Sequence, residues 1–318
     1  MTPWAAPIEI DRRTGRVSGA GPVERCGLAI MTAAAAGLSR FDDLGFSHVA
    51  RLVRGILPSR RSLRIAFAVD AAFEMPYGDG YWGVLLPRAA VYEADTEPLL
   101  RAIAGVEYAF VDCGANYGYW SVLVSSSAFG SHPAVAVEAA PDTYAWLVRN
   151  AEINGGRFAA LNRAVAGRSG ERLALYGGKH ESRSLAGGDG AEVLATVETL
   201  ALDDLLAREE LKGASAIVLK LDVEGVEVAA LEGGQRMLER DLLIAYEDHG
   251  SDREHIVSRH LAEKLGMRLF AVAGGAVRPL GGAGELSAIK RNPRYGYNFF
   301  ATRSPFWIAE MERLGVKV

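Results

Sequence analysis

The stretch FVDCGANYGYW, Phe110 to Trp120, decides the fold. It begins as an apolar, strand-like run, meets an acid at Asp112, and turns through Gly114 and Gly118. A helix is expected from about Tyr119, with its first amide groups pointing back at the turn. A strand that ends on an acid and passes through glycines into a helix is a unit of an open α/β sheet. In such sheets ligands bind beyond the carboxyl ends of the strands. The glycines let the chain turn and bring its backbone close to a ligand. A dinucleotide loop reads G-x-G-x-x-G, with a glycine where the backbone meets pyrophosphate. Here Ala115 and Asn116 occupy the middle, and the pattern is D-x-G-x-x-x-G. Asp112 opposes a diphosphate and suits a ligand that carries a cationic amine.

Downstream of this unit, short apolar runs alternate with helical spacing. AVAVE (134–138) predicts a strand, Asp142–Ile153 a helix, Phe158–Leu161 a strand, and Ala164–Leu175 a hairpin. A helix is expected to start within Thr199–Asp204, followed by a strand at Ala216–Leu221, a helix over Val226–Leu238 and a strand at Leu242–Tyr246. A helix over His255–Leu265, a strand at Arg268–Val272, and a last strand at Tyr297–Thr302, antiparallel at or near an edge, complete the set. Near-continuous apolar strands between helices indicate a parallel sheet covered on both faces.

Upstream, residues 1–76 read as an N-terminal extension for the substrate pocket or oligomer contacts, and 77–318 as the main domain. The extension carries a helical pattern over Phe41–Leu57 and a strand at Leu63–Val69. A turn at Tyr77–Gly80 leads to a second strand at Trp82–Leu86, and Pro98 suits the first turn of a helix. Two glycine-rich stretches, Ser184–Gly190 and Gly274–Gly284 continuing through Arg291–Tyr297, read as lids or substrate loops.

The chemistry-bearing residues fall at the strand ends. Glu138 closes AVAVE, where a carboxylate can accept both hydroxyls of a ribose. S-adenosylmethionine has an ammonium, a sulfonium and a ribose but no phosphate, so Asp112 would serve its methionine end and Glu138 its ribose. In IVLKLDVEG (217–225), Lys220 and Asp222 share one side of a strand, and Asp222 lies at its carboxyl end. Glu224 follows at once, while Glu227 suits the acidic first turn of a helix. Glu247 and His249, two apart in AYEDHG, face the same way if the strand continues. Asp222, Glu224, Glu247 and His249 are therefore the candidates to remove a proton from an acceptor hydroxyl. The same set can instead hold a divalent cation that acidifies the hydroxyl. Cys113 reads as a small buried residue, and Trp120 as core packing.

Composition narrows the classes. The 318 residues carry 35 Lys and Arg against 39 Asp and Glu, a net charge of −4 without a long single-sign block, unlike the usual nucleic-acid binder. Two cysteines, Cys26 and Cys113, suggest no disulfide framework and a reducing cytoplasm. No secretory leader or transmembrane segment is expected.

FVDCGANYGYWS, VAVEAAPDTYAWLVRN, VETLALDDLL and IVLKLDVEGVEVAALEGG, in this order, resemble the FkbM family of S-adenosylmethionine-dependent methyltransferases. The likeness runs from about Val91 to Val272 and is most specific in the last motif. It implies a class I, Rossmann-like α/β sheet of seven strands with the last strand antiparallel. It also implies O-methylation of a hydroxyl on a sugar, glycan or secondary metabolite. By resemblance, Asp112, Gly114, Asn116, Gly118 and Glu138 are cofactor positions, Asn162, Ala164 and Val165 lie at the adenine, and Asp222 lies beside the methyl group. The expected partner is a small-molecule or glycan acceptor, with a homo-oligomer compatible. The rival readings are a nicotinamide-dependent oxidoreductase, disfavoured by Asp112 and the missing middle glycine, and a cofactor-binding module without turnover.

Overall fold

In a computed structural model, residues 5–177, 193–223 and 225–315 are described. They divide into two compact units, one reaching to Tyr92 and including Glu152–Gly155, the other holding the remainder.

The first unit contains β1 (Ile8–Asp11), β2 (Arg16–Ser18), α1 (Pro22–Leu38), α2 (Phe46–Ile56), β3 (Ser62–Ala68) and β4 (Ala71–Pro76). Its sheet has the order β2-β1-β3-β4. The helix expected over Phe41–Leu57 begins at Phe46, because Asp42, Asp43 and Gly45 take positive φ and break the turn before it. The strand expected at Trp82–Leu86 is instead a 3₁₀ turn, and the partner of β3 is β4. Glu74 is buried on β4 and bound by Arg64 at 2.9 Å and by the Ser62 hydroxyl, so its charge is compensated locally.

The second unit runs α3 (Glu97–Ala102), β5 (Ala109–Cys113), α4 (Tyr119–Val124), β6 (Ala134–Glu138), α5 (Pro141–Ile153), β7 (Phe158–Asn162), β8 (Ala164–Val165), β9 (Arg172–Tyr176), β10 (Val193–Leu200) and α6 (Leu202–Leu205). It continues with β11 (Ala216–Leu221), α7 (Glu227–Glu232), β12 (Asp241–His249), α8 (Ile256–Arg259), β13 (Arg268–Ala273), β14 (Ala276–Leu280), α9 (Leu286–Ile289), β15 (Gly296–Thr302) and α10 (Pro305–Gly315).

The large sheet has eight strands in the order β14-β13-β15-β12-β11-β5-β6-β7. The five from β12 to β7 are parallel, and β15 enters antiparallel between β12 and β13. The expected Rossmann-like α/β class is the observed one, with two corrections. The antiparallel strand is interior, because its apolar stretch Phe299–Ala301 is buried between two neighbours. The eighth strand is β14, which the glycine pair Gly274–Gly275 folds back onto β13 within a stretch read as a loop. The expected hairpin over Ala164–Leu175 also does not form. β8 and β9 both pair with β10, giving a separate sheet of order β8-β10-β9. Thr199 and Leu200 accordingly lie in β10, and the helix begins only at Leu202. The other glycine-rich stretch, Ser184–Gly190, lies outside the described residues.

AIVLKL is buried at every position of β11, and AVAVE at every position of β6, because helices cover a parallel sheet on both faces. α5 shows how such a helix is specified. Pro141 and Asp142 start it, and Thr143, Leu147, Asn150 and Ala151 form its buried stripe. Chain order reverses at β5: β6 and β7 build outward on one side, β11 and β12 on the other. The crevice beyond the carboxyl ends of β5 and β11 is therefore the topological switch point of the sheet. Among the described residues no helix is long and apolar enough to cross a membrane.

Candidate active site

The turn after β5 is held from both sides. The amides of Gly114 and Ala115 both donate to the Val137 carbonyl at the end of β6, at 3.0 Å. The Asp222 amide, just past β11, donates to the Cys113 carbonyl at 3.0 Å. Gly114 has φ +80°, and a Cβ there would run into the Asp222 carbonyl oxygen. Gly118, at φ +84°, leads into α4, and a Cβ there would meet Leu147 of α5. Asn116 also takes a positive φ, +52°, which asparagine tolerates better than most residues. The D-x-G-x-x-x-G pattern is thus a tightly wedged turn between β6 and β11.

Glu138 is oriented by this turn. One carboxylate oxygen accepts the Asn116 amide at 2.9 Å and the other the Ala140 amide at 2.8 Å. Asn162, opposite Glu138 in the sheet register, donates its side-chain amide to the carbonyls of Glu138 and Ala139, both at 2.9 Å. Asn162 therefore shapes the backbone that presents Glu138. Ala164 and Val165 are buried, Ala164 in a small cluster with Ala140, Leu175 and Val197, and Val165 in the main core. Asn162 also lines an open cavity of about 440 Å³ with Arg163, Arg172, Thr196 and Glu198.

A buried charge cluster lies on the β5–β11 side. Lys220, opposite Asp112 in the register, sends its ammonium to Asp222 at 2.9 Å and to Glu93 at 3.5 Å. Asp112 accepts the Ser121 hydroxyl at 2.7 Å, and Glu93 accepts the Trp120 indole N–H at 2.8 Å. Burial pushes the Asp112 carboxyl above the ordinary value, opposed by Lys220 and Ser121 and reinforced by Asp222. Burial likewise raises Glu93, again opposed by Lys220 and reinforced by Asp222. Burial alone would depress the Lys220 ammonium, but Asp222, Glu93 and Asp112 outweigh it and hold its pKa well above the ordinary lysine value. One ammonium thus faces three carboxylates. The excess negative charge in this donor set fits a cationic ligand and repels a diphosphate.

The remaining candidates are spread more widely. Glu247 and His249 lie on β12 on the same face as Ala245, the register partner of Lys220, so the extended path does continue as expected. Glu247 packs over Gly296, where a Cβ would strike its carboxylate. His249 is exposed, and its Nδ1 accepts the Ser251 amide at 3.2 Å and lies 2.6 Å from the Ser251 hydroxyl. Glu224 lies outside the described residues. Glu227 lies in the first turn of α7, as expected of it, and accepts the Gly225 amide at 3.1 Å. Among the described residues no three His, Cys, Asp or Glu side chains gather as a metal-binding set. Cys113 is buried, and burial pushes its thiol far up, which removes thiol chemistry.

Glu93, and the hydrogen bond the Trp120 indole makes to it, are what sequence reasoning missed. Trp120 does pack in the core, against Tyr119 and Phe129, but its N–H is spent on a site carboxylate. Glu93 sits in no periodic pattern, and its position carries no signal until α3 folds. The one visible hint is Lys220, a lone charge inside an otherwise apolar strand, which must find carboxylates once buried.

Residues 112–268 match the family model described as the Methyltransferase FkbM domain. No curated protein matches the chain. Among solved structures, one similar chain is the methyltransferase FkbM of Methylobacillus flagellatus, 14% identical over 61% of this chain, with a TM-score of 0.39. The chain spans 43% of the length of that protein. A precorrin-6y C5,15-methyltransferase of Geobacter metallireducens is 12% identical over 65% of this chain and 85% of its own, with a TM-score of 0.36. An SAM-dependent O-methyltransferase of Thermotoga maritima is 12% identical over 67% of this chain and 66% of its own, with a TM-score of 0.34. The wedged glycine turn, the strand-ending Glu138 and the acids after β11 all fall within the family match, so residues 112–268 of this chain are an FkbM methyltransferase domain.

Proposed function

We propose that this domain is an S-adenosylmethionine-dependent O-methyltransferase acting on a hydroxyl of a sugar, glycan or secondary metabolite. The observation that carries the reading is the surplus of buried and half-buried carboxylate over ammonium at the switch point. Bound S-adenosylmethionine would supply an electrophilic methyl group. In this reading Asp112 takes the cationic methionine end, while Gly114, Asn116 and Gly118 present the turn backbone. Glu138 takes the ribose, with Asn162, Ala164 and Val165 on the adenine side. Asp222 adjoins both the methyl group and the acceptor, and removal of the hydroxyl proton falls to it, with Glu224 and Glu247 as the other carboxylate candidates. His249, whose Nδ1 is engaged by Ser251, is the remaining candidate for the proton. Rate comes chiefly from holding acceptor oxygen, carbon and sulfur in line, for which effective molarities on the order of 10⁵ M are attainable. The same reading takes the acceptor to be a small molecule or glycan and not a nucleic acid, the compartment to be cytoplasmic, and the proton transfer to run without a metal.

Calorimetric titration with S-adenosylhomocysteine tests it. The wild type binds, and Asp112→Asn and Glu138→Ala each weaken binding by roughly tenfold or more, the loss of a charged hydrogen-bonding partner. No binding by the wild type, or binding by both variants as tight as the wild type's, refutes the reading.

A pH effect follows with a defined sign. Asp112 and Glu93 have raised values in the fold, so each holds a proton above the ordinary 3.8 and 4.5. Ionising them costs folding stability as pH rises past those ordinary values. A cation in the site favours the ionised forms and lowers both values, so its binding releases protons and strengthens as pH rises through the same window. Titrating S-adenosylmethionine in two buffers of different ionisation enthalpy should show proton release. Proton uptake, or affinity that rises on acidification, would contradict the cluster as drawn.

A further inference from the structure

Glu93 has three features that core packing alone does not require. Its backbone takes φ +47°, a strained region for a non-glycine residue that tends to persist at functional sites. That conformation is pinned by its own carbonyl, which accepts the amides of Thr96 and Glu97 at 2.8 and 3.1 Å. Its side chain is 12% exposed and is fixed by the Trp120 indole on one oxygen, with the other toward Lys220. Lys220 is already paired, more closely, with Asp222. Neutralising Lys220 therefore does not require Glu93, and Glu93 adds a negative charge that the described residues do not balance.

Resting on the cofactor reading above, we infer that Glu93 is a specificity residue that makes the site favour a sulfonium over the thioether it becomes. In methyl transfer the carbon–sulfur bond breaks as the oxygen–carbon bond forms. The sulfur keeps the bonding pair and becomes neutral, and the hydroxyl proton passes to a carboxylate of the site and on to solvent. The ligand thus loses one positive charge, while the carboxylates return to their starting state. A surplus negative charge at this point holds the sulfonium and loosens the product, whose sulfur is neutral although its ammonium remains. Trp120 acts through Glu93, as a positioning residue.

The test compares binding of S-adenosylmethionine and S-adenosylhomocysteine to the full chain by calorimetry. The wild type should prefer S-adenosylmethionine. Glu93→Gln, which keeps the shape and an acceptor for the indole, should weaken S-adenosylmethionine by roughly tenfold, as expected for a charge pair in a partly buried site, and leave S-adenosylhomocysteine nearly unchanged. Trp120→Phe, which frees the carboxylate but keeps its charge, should narrow the ratio by less. If both ligands bind and Glu93→Gln leaves their ratio as in the wild type, the inference is overturned while the cofactor reading stands. If neither binds the wild type, both fall. Should Glu93→Gln fail to fold, the wild type alone decides: its preference for S-adenosylmethionine should shrink as pH is lowered and the carboxylates protonate, and a pH-independent ratio refutes the inference.

Discussion

Gly114→Ala is expected to lose about 3 kcal/mol or more of stability and all measurable cofactor affinity. Two separate costs act at this position. A left-handed backbone at φ +80° penalises any Cβ by about 1–2 kcal/mol. The added methyl would also overlap the Asp222 carbonyl oxygen, and neither side can retreat. The turn is tied to Val137 by two amides, and Asp222 is tied back to Cys113, so relief means separating β5 from β11 at their carboxyl ends. Overpacking of that kind typically adds 1–3 kcal/mol. Gly170→Ala separates the two costs. Gly170 has φ +82° but open space where its Cβ would go, so it should lose only about 1–2 kcal/mol, the left-handed cost alone. Urea denaturation of both variants gives the comparison. Equal losses would mean that the turn is not wedged, and that Asp112 and Asp222 are not held by it.

Lys290→Met should destabilise the second unit by about 3–5 kcal/mol, the usual cost of leaving a buried charge without its partner. Asp248 and Lys290 have no exposed side-chain surface and form an ion pair. The ammonium also donates to the Asp252 carbonyl at 2.6 Å and lies 2.9 Å from His255 Nδ1. Ser258 donates to the other oxygen of Asp248, and His255 Nε2 reaches Ser287 at 2.8 Å. This network fastens the segments around His255 and Lys290 to the end of β12, on the face opposite Glu247 and His249. The double change Asp248→Asn with Lys290→Met should recover part of the loss, because no uncompensated charge then remains. A double-mutant cycle measures the coupling. A loss below about 1 kcal/mol for Lys290→Met would show that Asp248 reaches water or another cation. The network also bears on the expected loop through Arg291–Tyr297. Its entry is anchored at Lys290, and Tyr297 accepts the Asn292 amide at 2.9 Å, so this stretch is tethered at both ends.

The sequence by itself determined the parts whose signal is local. AIVLKL, AVAVE and the D-x-G-x-x-x-G turn are legible because a parallel strand buried on both faces is almost continuously apolar, Lys220 being the exception in AIVLKL, and because a turn wedged between strands admits no Cβ at Gly114. The acids Asp112, Glu138 and Asp222 stand out because they end those runs. Only the tertiary structure decided what depends on partners far apart in the chain. β10 takes up both β8 and β9 in place of a local hairpin, and β14 adds an eighth strand from a stretch whose glycines read as loop. Glu93 joins Lys220, and Lys290 joins Asp248, across intervals with no periodicity to announce them. The physical reason is the same in each case. Local sequence sets which conformations and burials are cheap, but a buried charge or an unpaired strand edge is satisfied by whichever distant group the closed fold brings within reach.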